Sequence, residues 1–229
     1  MHLSILNRDE VVFPHPFTCH EDGLLCLGGS LSMERLLLAY QFGIFPWNNE
    51  EDPLLWWTPY PRMVLYPDQL KVSKSMRSLI RKKRYTVTFD QCFPTVIDHC
   101  QNIKRKGQGG TWITSDIVRS FTELHLLGYA HSIEVWDGEE LVGGLYGVAL
   151  GKVFFGESMF HLAANASKFG FITLVSKLIE HKYQLIDCQQ ETEYMASLGA
   201  SVIPRTEFMH QLKRNALIRH NPKSWSDWV

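Results

Sequence analysis

Hydrophobic positions along the chain change their period, and each change predicts a different element. Residues 1–62 hold no sustained period: FPHPF and the turn-like pair Gly28–Gly29 precede SMERLLLAYQFG. The apolar spacing of that last stretch predicts a short helix capped by Ser32 and ending near Gly43. GIFPWNNEEDPLLWWTPYPR follows, dense in proline and tryptophan, and reads as a packed loop, because disordered linkers seldom carry three tryptophans. From residue 63 the pattern is regular. MVLY and YTVTF read as strands, and FPTVIDHCQNIKRK has helical spacing. SDIVRSFTELHLLG is a helix with Thr114 or Ser115 as its cap and Gly128 as its terminator. AHSIEVW, a turn at Asp137–Gly138, EELVGGLYGVAL and GKVFFGESM form a run of antiparallel strands. NASKFGFITLVSKLIEHK is a long helix, QLIDCQ a strand, SLGASVIPR a turn and strand, and TEFMHQLKR a last helix. A strand meander followed by a helix and a further strand predicts an α+β domain with a mixed sheet over 63–229, beside a small N-terminal domain over 1–62.

Composition narrows the class. With 229 residues, 45% of them hydrophobic, the chain can bury a sizeable core. A formal charge of −1 predicts no polyanion partner for the molecule as a whole, so any nucleic-acid footprint must be local. Five cysteines, with no CxxC pair, suggest reduced thiols in a cytoplasmic protein. The opening MHLSILNRDE lacks the pattern of a signal peptide, and the apolar run 141–151 is too short and too glycine-rich to span a bilayer, so no membrane partner is expected. The ten histidines include no HExxH and no pair beside cysteines at zinc-like spacing. No metal and no cofactor are expected, and a monomer is the default.

Four segments could carry chemistry. In LKVSKSMRSLIRKKRY, Lys71, Lys74, Arg77, Arg81, Lys82, Lys83 and Arg84 stand with no acid between Asp68 and Asp90. At helical spacing Lys74, Arg77 and Arg81 share a face while Met76, Leu79 and Ile80 point inward, an arrangement suited to phosphates and equally to a solvated helix face. Trp47, Trp56, Trp57 and Trp112 offer aromatic faces that could stack on a base, although core packing is the commoner use of tryptophan. In LIDCQ, a strand would put Asp187 and Gln189 on one face and turn Cys188 away, giving a pair able to orient an amine for acyl transfer. Glu157 in GKVFFGESMF sets a carboxylate among Phe154, Phe155, Met159 and Phe160, which is costly without a partner. Other readings fail on spacing. KRKGQG at 104–109 departs from a pyrophosphate loop at Lys104, and GGLYG lacks the dinucleotide-binding pattern. A Cys188–His131 dyad is the weakest of the candidates.

Together GGSLSMERLLLAYQFGIFPW, LLWWTPYPR, GTWITSDIVRSFTELHLLGYAHSIEVW, ELVGGLYGVALGKVFFGESMF, NASK, LIDCQ and SLGASVIPR resemble the leucyl/phenylalanyl-tRNA–protein transferase family, in its order and spacing, from about residue 22 to 206. The resemblance implies a GNAT-like acyltransferase domain with a mixed, largely antiparallel sheet, joined to a small N-terminal α/β domain. It implies transfer of Leu or Phe, and less well Met, from aminoacyl-tRNA to the N-terminal Arg or Lys of acceptor proteins, feeding the bacterial N-end rule degradation pathway. By the same resemblance Asp187, Gln189 and Glu157 form the catalytic group; the chemistry of amine attack on an ester then suggests that Asp187, directly or through Gln189, holds the amine and helps remove its proton. Trp47 and Trp112 meet the terminal adenosine, with Tyr40 and Ser158 in the same substrate-binding set. Leu145, Phe154 and Phe171 wall an apolar aminoacyl pocket, and Lys74, Arg77, Arg81, Lys82, Lys83 and Arg84 meet the tRNA acceptor stem. Two departures touch fine preference: His161–Leu162 after GESMF, where Ser-Arg is usual, and Tyr194 in place of a histidine. An acetyl-CoA-dependent N-acetyltransferase and a non-catalytic tRNA-binding module are the alternatives.

Overall fold

The computed structural model describes residues 3–49, 51–103, 111–219 and 223–228. The N-terminal stretch that lacks a period builds a four-stranded sheet. Its strands are β1 (Ser4–Leu6), β2 (Leu24–Gly28), β3 (Phe45–Pro46) and β4 (Leu55–Trp57), in the order β1-β2-β4-β3. Strands of two to five residues are too short to show alternation, which is why GIFPWNNEEDPLLWW reads as a loop yet supplies two of them. Between β2 and β3, α1 (Met33–Gln41) starts where expected, the Ser32 hydroxyl accepting from the Arg35 N–H at 3.3 Å.

The second sheet has seven strands: β5 (Arg62–Leu65), β6 (Thr86–Phe89), β7 (Ala130–Asp137), β8 (Glu140–Leu150), β9 (Val153–His161), β10 (Leu185–Asp187) and β11 (Ser201–Ile203). Their spatial order is β11-β5-β10-β9-β8-β7-β6. Within it, β9 and β10 pair in parallel and the other neighbours are antiparallel, so the sheet is mixed and largely antiparallel, as expected of the α+β, GNAT-like class. The helices are α2 (Lys74–Arg81), α3 (Phe93–Asn102), α4 (Ser115–Leu126), α5 (Ala166–Glu180), the short α6 (Glu193–Ser197) and α7 (Arg205–Asn215). Thr114 caps α4 and Gly128 follows it at φ +76.

Period-two alternation along β8 and β9 divides the core between two faces. Tyr146, Val148, Phe155 and Phe160 pack with α1, α3, α4 and Trp56 of the first sheet in one buried cluster, so the two sheets share a core. Leu145, Ala149 and Phe154 belong instead to a second cluster with Phe171 and Leu174 of α5. Here the glycines of GGLYG find their use: a Cβ on Gly143 would lie 2.7 Å from the Ala166 Cβ, so α5 sits this close to β8 only over glycine.

Candidate active site

The site begins where β9 and β10 part. They pair as far as Phe155 and Asp187. The chain then turns to β5, Cys188 donating its N–H to the Met63 carbonyl (2.9 Å) and the Met63 N–H to the Gln189 carbonyl (3.2 Å). On its other side β9 carries a bulge. Tyr146 pairs with Ser158 but Gly147 pairs with Gly156, leaving Glu157 as the additional residue. A bulge re-aims the side chain that it inserts. It also needs Gly147, since a Cβ there would lie 2.2 Å from the Phe155 carbonyl oxygen.

Glu157 is aimed at α1 and at the end of β10. Its Oε1 accepts from the Tyr40 hydroxyl (2.8 Å) and from Gln189 Nε2 (3.1 Å). Its Oε2 is shut away from solvent and has no hydrogen-bond partner among the described residues. An unsatisfied buried polar atom costs about 1–3 kcal/mol. Burial pushes the Glu157 carboxyl up to about 8. The Tyr40 hydrogen bond, the Arg62 charge and the Gln189 hydrogen bond offset part of that burial, while the Asp187 charge adds to it.

Asp187 is committed differently from the sequence expectation. It is sealed, 0% exposed, and Arg62 grips it bidentately, Nε to Oδ1 at 2.8 Å and Nη2 to Oδ2 at 2.7 Å. Oδ1 also accepts the Gln189 N–H at 2.9 Å. With both oxygens taken by a buried guanidinium, Asp187 is not placed to receive a substrate proton, and its geometry makes it a support for Gln189 and Arg62. The alternation argument for Gln189 fails as well. The strand ends at Asp187, and Gln189 sits at φ +62, a left-handed conformation costing a non-glycine residue roughly 1–2 kcal/mol. Its side chain reaches Glu157 through that turn, not through a shared strand face.

Arg62 is the member that sequence reasoning missed. It is 2% exposed and lies between the rings of Phe45 and Phe208, its guanidinium carbon 5.0 and 4.8 Å from their centroids. Nη1 is buried with no partner among the described residues. The available signal was the arginine closing LLWWTPYPR, directly before the apolar run MVLY and with no acid beside it in sequence.

The remaining expectations divide. Tyr40 is 1% exposed, so it cannot stack on a ligand and acts by holding Glu157. Ser158 is half-buried beside Glu157. Trp47 and Trp112 are half-buried at the margin of the shared core; Trp47 lies edge-on to Trp57 (5.5 Å), whose indole N–H donates to the Trp47 carbonyl at 2.6 Å. Leu145, Phe154 and Phe171 do gather in one cluster, with Met159 half-buried at its margin. That cluster lies on the α5 face, however, whereas Glu157 faces Tyr40 on the other. His131 bonds Asp90 through Nδ1 (2.9 Å) while the Cys188 thiol donates to the Ile186 carbonyl, so the two do not form a dyad. KRKGQG at 104–109 lies outside the described residues.

On α2, Met76 is buried, Leu79 and Ile80 are half-buried, and Lys74, Arg77 and Arg81 are exposed with Lys82 and Lys83 beyond them. Arg84 departs from the set: its Nη1 donates to Asp137 Oδ1 at 2.7 Å in a bidentate pair that spends its charge.

Comparison with known proteins points one way. The chain matches the family model described as leucyl/phenylalanyl-tRNA protein transferase over residues 64–213, and the model of that transferase's N-terminal domain over 29–59. Relatives named leucyl/phenylalanyl-tRNA–protein transferase include one from Hydrogenovibrio crunogenus, 49% identical over 97% of this chain and 89% of its own length. Another, from Ectopseudomonas mendocina, is 49% identical over 99% of both chains. A third, from Pseudomonas fluorescens, is 51% identical over 97% of this chain and 99% of its own. Among solved structures, L-PGS from Bacillus licheniformis is similar over 82% of this chain and 65% of that one, at 14% identity and a TM-score of 0.38.

Proposed function

Because the chain belongs to the leucyl/phenylalanyl-tRNA–protein transferase family and is thereby an aminoacyltransferase, we propose that it moves Leu or Phe, and less well Met, from aminoacyl-tRNA to the N-terminal Arg or Lys of acceptor proteins, in the bacterial N-end rule pathway. The acceptor's α-amine attacks the ester carbonyl, a peptide bond forms, and the terminal ribose hydroxyl of the tRNA leaves. The ester is already activated, so positioning supplies much of the acceleration.

The observation that carries the reading is Glu157: an inserted residue at the parting of two strands, with one oxygen held by Tyr40 and Gln189 and the other unpartnered. With its pKa near 8, it matches an α-amine, whose ordinary value is about 7.7–8.0, so a proton passes from the acceptor amine to Oε2 with little free-energy gap. Gln189 and Tyr40 fix the carboxyl's orientation, and Asp187 with Arg62 fixes Gln189. Trp47 and Trp112 take the terminal adenosine; Leu145, Phe154 and Phe171, gathered on the α5 face of the sheet, meet the aminoacyl side chain. The exposed cations Lys74, Arg77, Arg81, Lys82 and Lys83 meet the acceptor stem. The same reading divides the chain after residue 62; the first sheet ends at Trp57, and β5 of the second begins one residue before that boundary, at Arg62. No helix among the described residues is long and apolar enough to cross a membrane.

The test incubates the protein with labelled Leu-tRNA and a peptide beginning with Arg. Label in the peptide supports the proposal. Tight tRNA binding without transfer would support a binding module instead, and acetyl-CoA consumption an acetyltransferase.

A further inference from the structure

The last residues of a chain ordinarily fray. Here two tryptophans stand in the closing KSWSDWV, and both are buried, Trp225 to 3% exposure and Trp228 to 7%. The segment 223–228 is held at several points. Asp90, just after β6, accepts the Trp225 N–H at 2.6 Å and the Ser224 hydroxyl at 3.4 Å, and is itself held by the Ser132 N–H and by His131. The Trp225 indole lies flat on His131 (3.7 Å, 1° between planes) and on Trp228 (4.0 Å, 9°), which lies flat on His181 (4.0 Å, 5°). Four stacked rings thus run from β7 to the end of α5.

None of these groups belongs to the Glu157–Gln189–Asp187–Arg62 network. What they touch is the apolar cluster on the α5 face. Trp225 and Trp228 belong to that cluster with Leu145, Phe154, Phe171 and Ile186, and the Trp225 ring lies 5.8 Å from that of Phe154.

We propose that the C-terminal segment is part of the aminoacyl site, with Trp225 a positioning residue that blocks the retreat of Phe154 and so sets the depth of the side-chain pocket. The inference rests on the reading above, in which Phe154 lines that pocket. A ring clamped between two others cannot move aside, so the wall it supports is rigid. Rigidity of this kind is what lets an apolar pocket discriminate between side chains that differ by little volume.

The experiment measures kcat/KM for transfer from Phe-tRNA and from Leu-tRNA to one Arg-initiated peptide, for the full-length protein and three variants. Trp225→Ala leaves room behind Phe154, so the Phe-to-Leu ratio rises about tenfold, the discrimination associated with roughly one methylene. Trp225→Phe keeps a ring on His131 and gives a smaller shift in the same direction. Phe154→Leu, which alters the wall directly, also shifts the ratio. Circular dichroism melts identify folded variants. If Trp225→Ala does not fold, the Trp225→Phe ratio decides alone: a shift supports the proposal and an unchanged ratio overturns it. Equal losses on both substrates in the Trp225 variants, with a shift in Phe154→Leu, overturn this inference and leave the pocket intact. An unchanged ratio in all three overturns the assignment of the pocket and this inference with it.

Discussion

Glu157→Gln separates the electrostatic part of the site from its shape. Glutamine keeps an oxygen to accept from Tyr40 and Gln189 but cannot ionise. In the native protein the folded-state pKa is raised to about 8 from an ordinary 4.5, with burial the main cause. The folded state therefore holds a proton that the unfolded chain has lost between those values. Its favourable contribution is complete below pH 4.5 and is lost as pH rises toward 8. The slope is about 1.4 kcal/mol per pH unit, and the whole window is worth at most about 5 kcal/mol. From pH 5.5 to 7.5 the advantage of Glu157→Gln over the native protein should grow by up to about 3 kcal/mol, and by about half that once partial solvation of the half-buried residue is allowed for. Urea unfolding at pH 5.5, 6.5 and 7.5 measures it. The lowered pKa of His131 and of His181 affects both proteins alike and cancels in the difference. Transfer gives the second arm: the native kcat should climb with pH toward 8, and the variant should be slow and nearly flat. Stability curves that run parallel for the two proteins would refute the buried, mostly protonated carboxyl and the proton transfer built on it.

Other expectations follow from the same geometry. Asp187→Asn leaves the Arg62 guanidinium buried with its pair broken, so stability should fall by about 3–5 kcal/mol and kcat by tenfold or more, while tRNA affinity hardly changes; a kcat within about threefold of native would remove Asp187 from the site. Arg77→Glu with Arg81→Glu should weaken tRNA binding and flatten its salt dependence, whereas Arg84→Ala, whose cation is already paired with Asp137, should change the slope less. Equal slopes for the two variants would return α2 to an ordinary solvated face. Gly147→Ala forces a Cβ to within 2.2 Å of the Phe155 carbonyl oxygen; the bulge must shift, costing several times RT in a thermal melt and displacing Glu157, with transfer falling more than stability alone explains.

Much of this was legible along the chain because it is local. The helix at 33–41, the α4 cap at Thr114, the turn at Asp137–Gly138 and the long antiparallel strands each follow from neighbours a few residues apart. The two-residue and three-residue strands of the first sheet were not legible, since alternation needs more positions than they contain. Glu157 was visible as a misplaced charge, and Asp187 and Gln189 as a polar pair, because a carboxylate in an apolar run violates the pattern that surrounds it.

What tertiary structure decided was how these groups are connected. Arg62 and Asp187 are 125 positions apart, and Tyr40 and Glu157 117; no local spacing records such partners. Sequence by itself determined the longer elements, the family and, Arg62 apart, the polar residues of the site that the core would not tolerate uncompensated. Only the folded chain decided which of them are spent on one another. Asp187 is neutralised by a buried arginine, whereas Glu157 is turned out of register by a bulge, with one oxygen left over. That difference arises because burial and pairing act through space, and they set the charge, the pKa and the availability of each group only once distant strands have met.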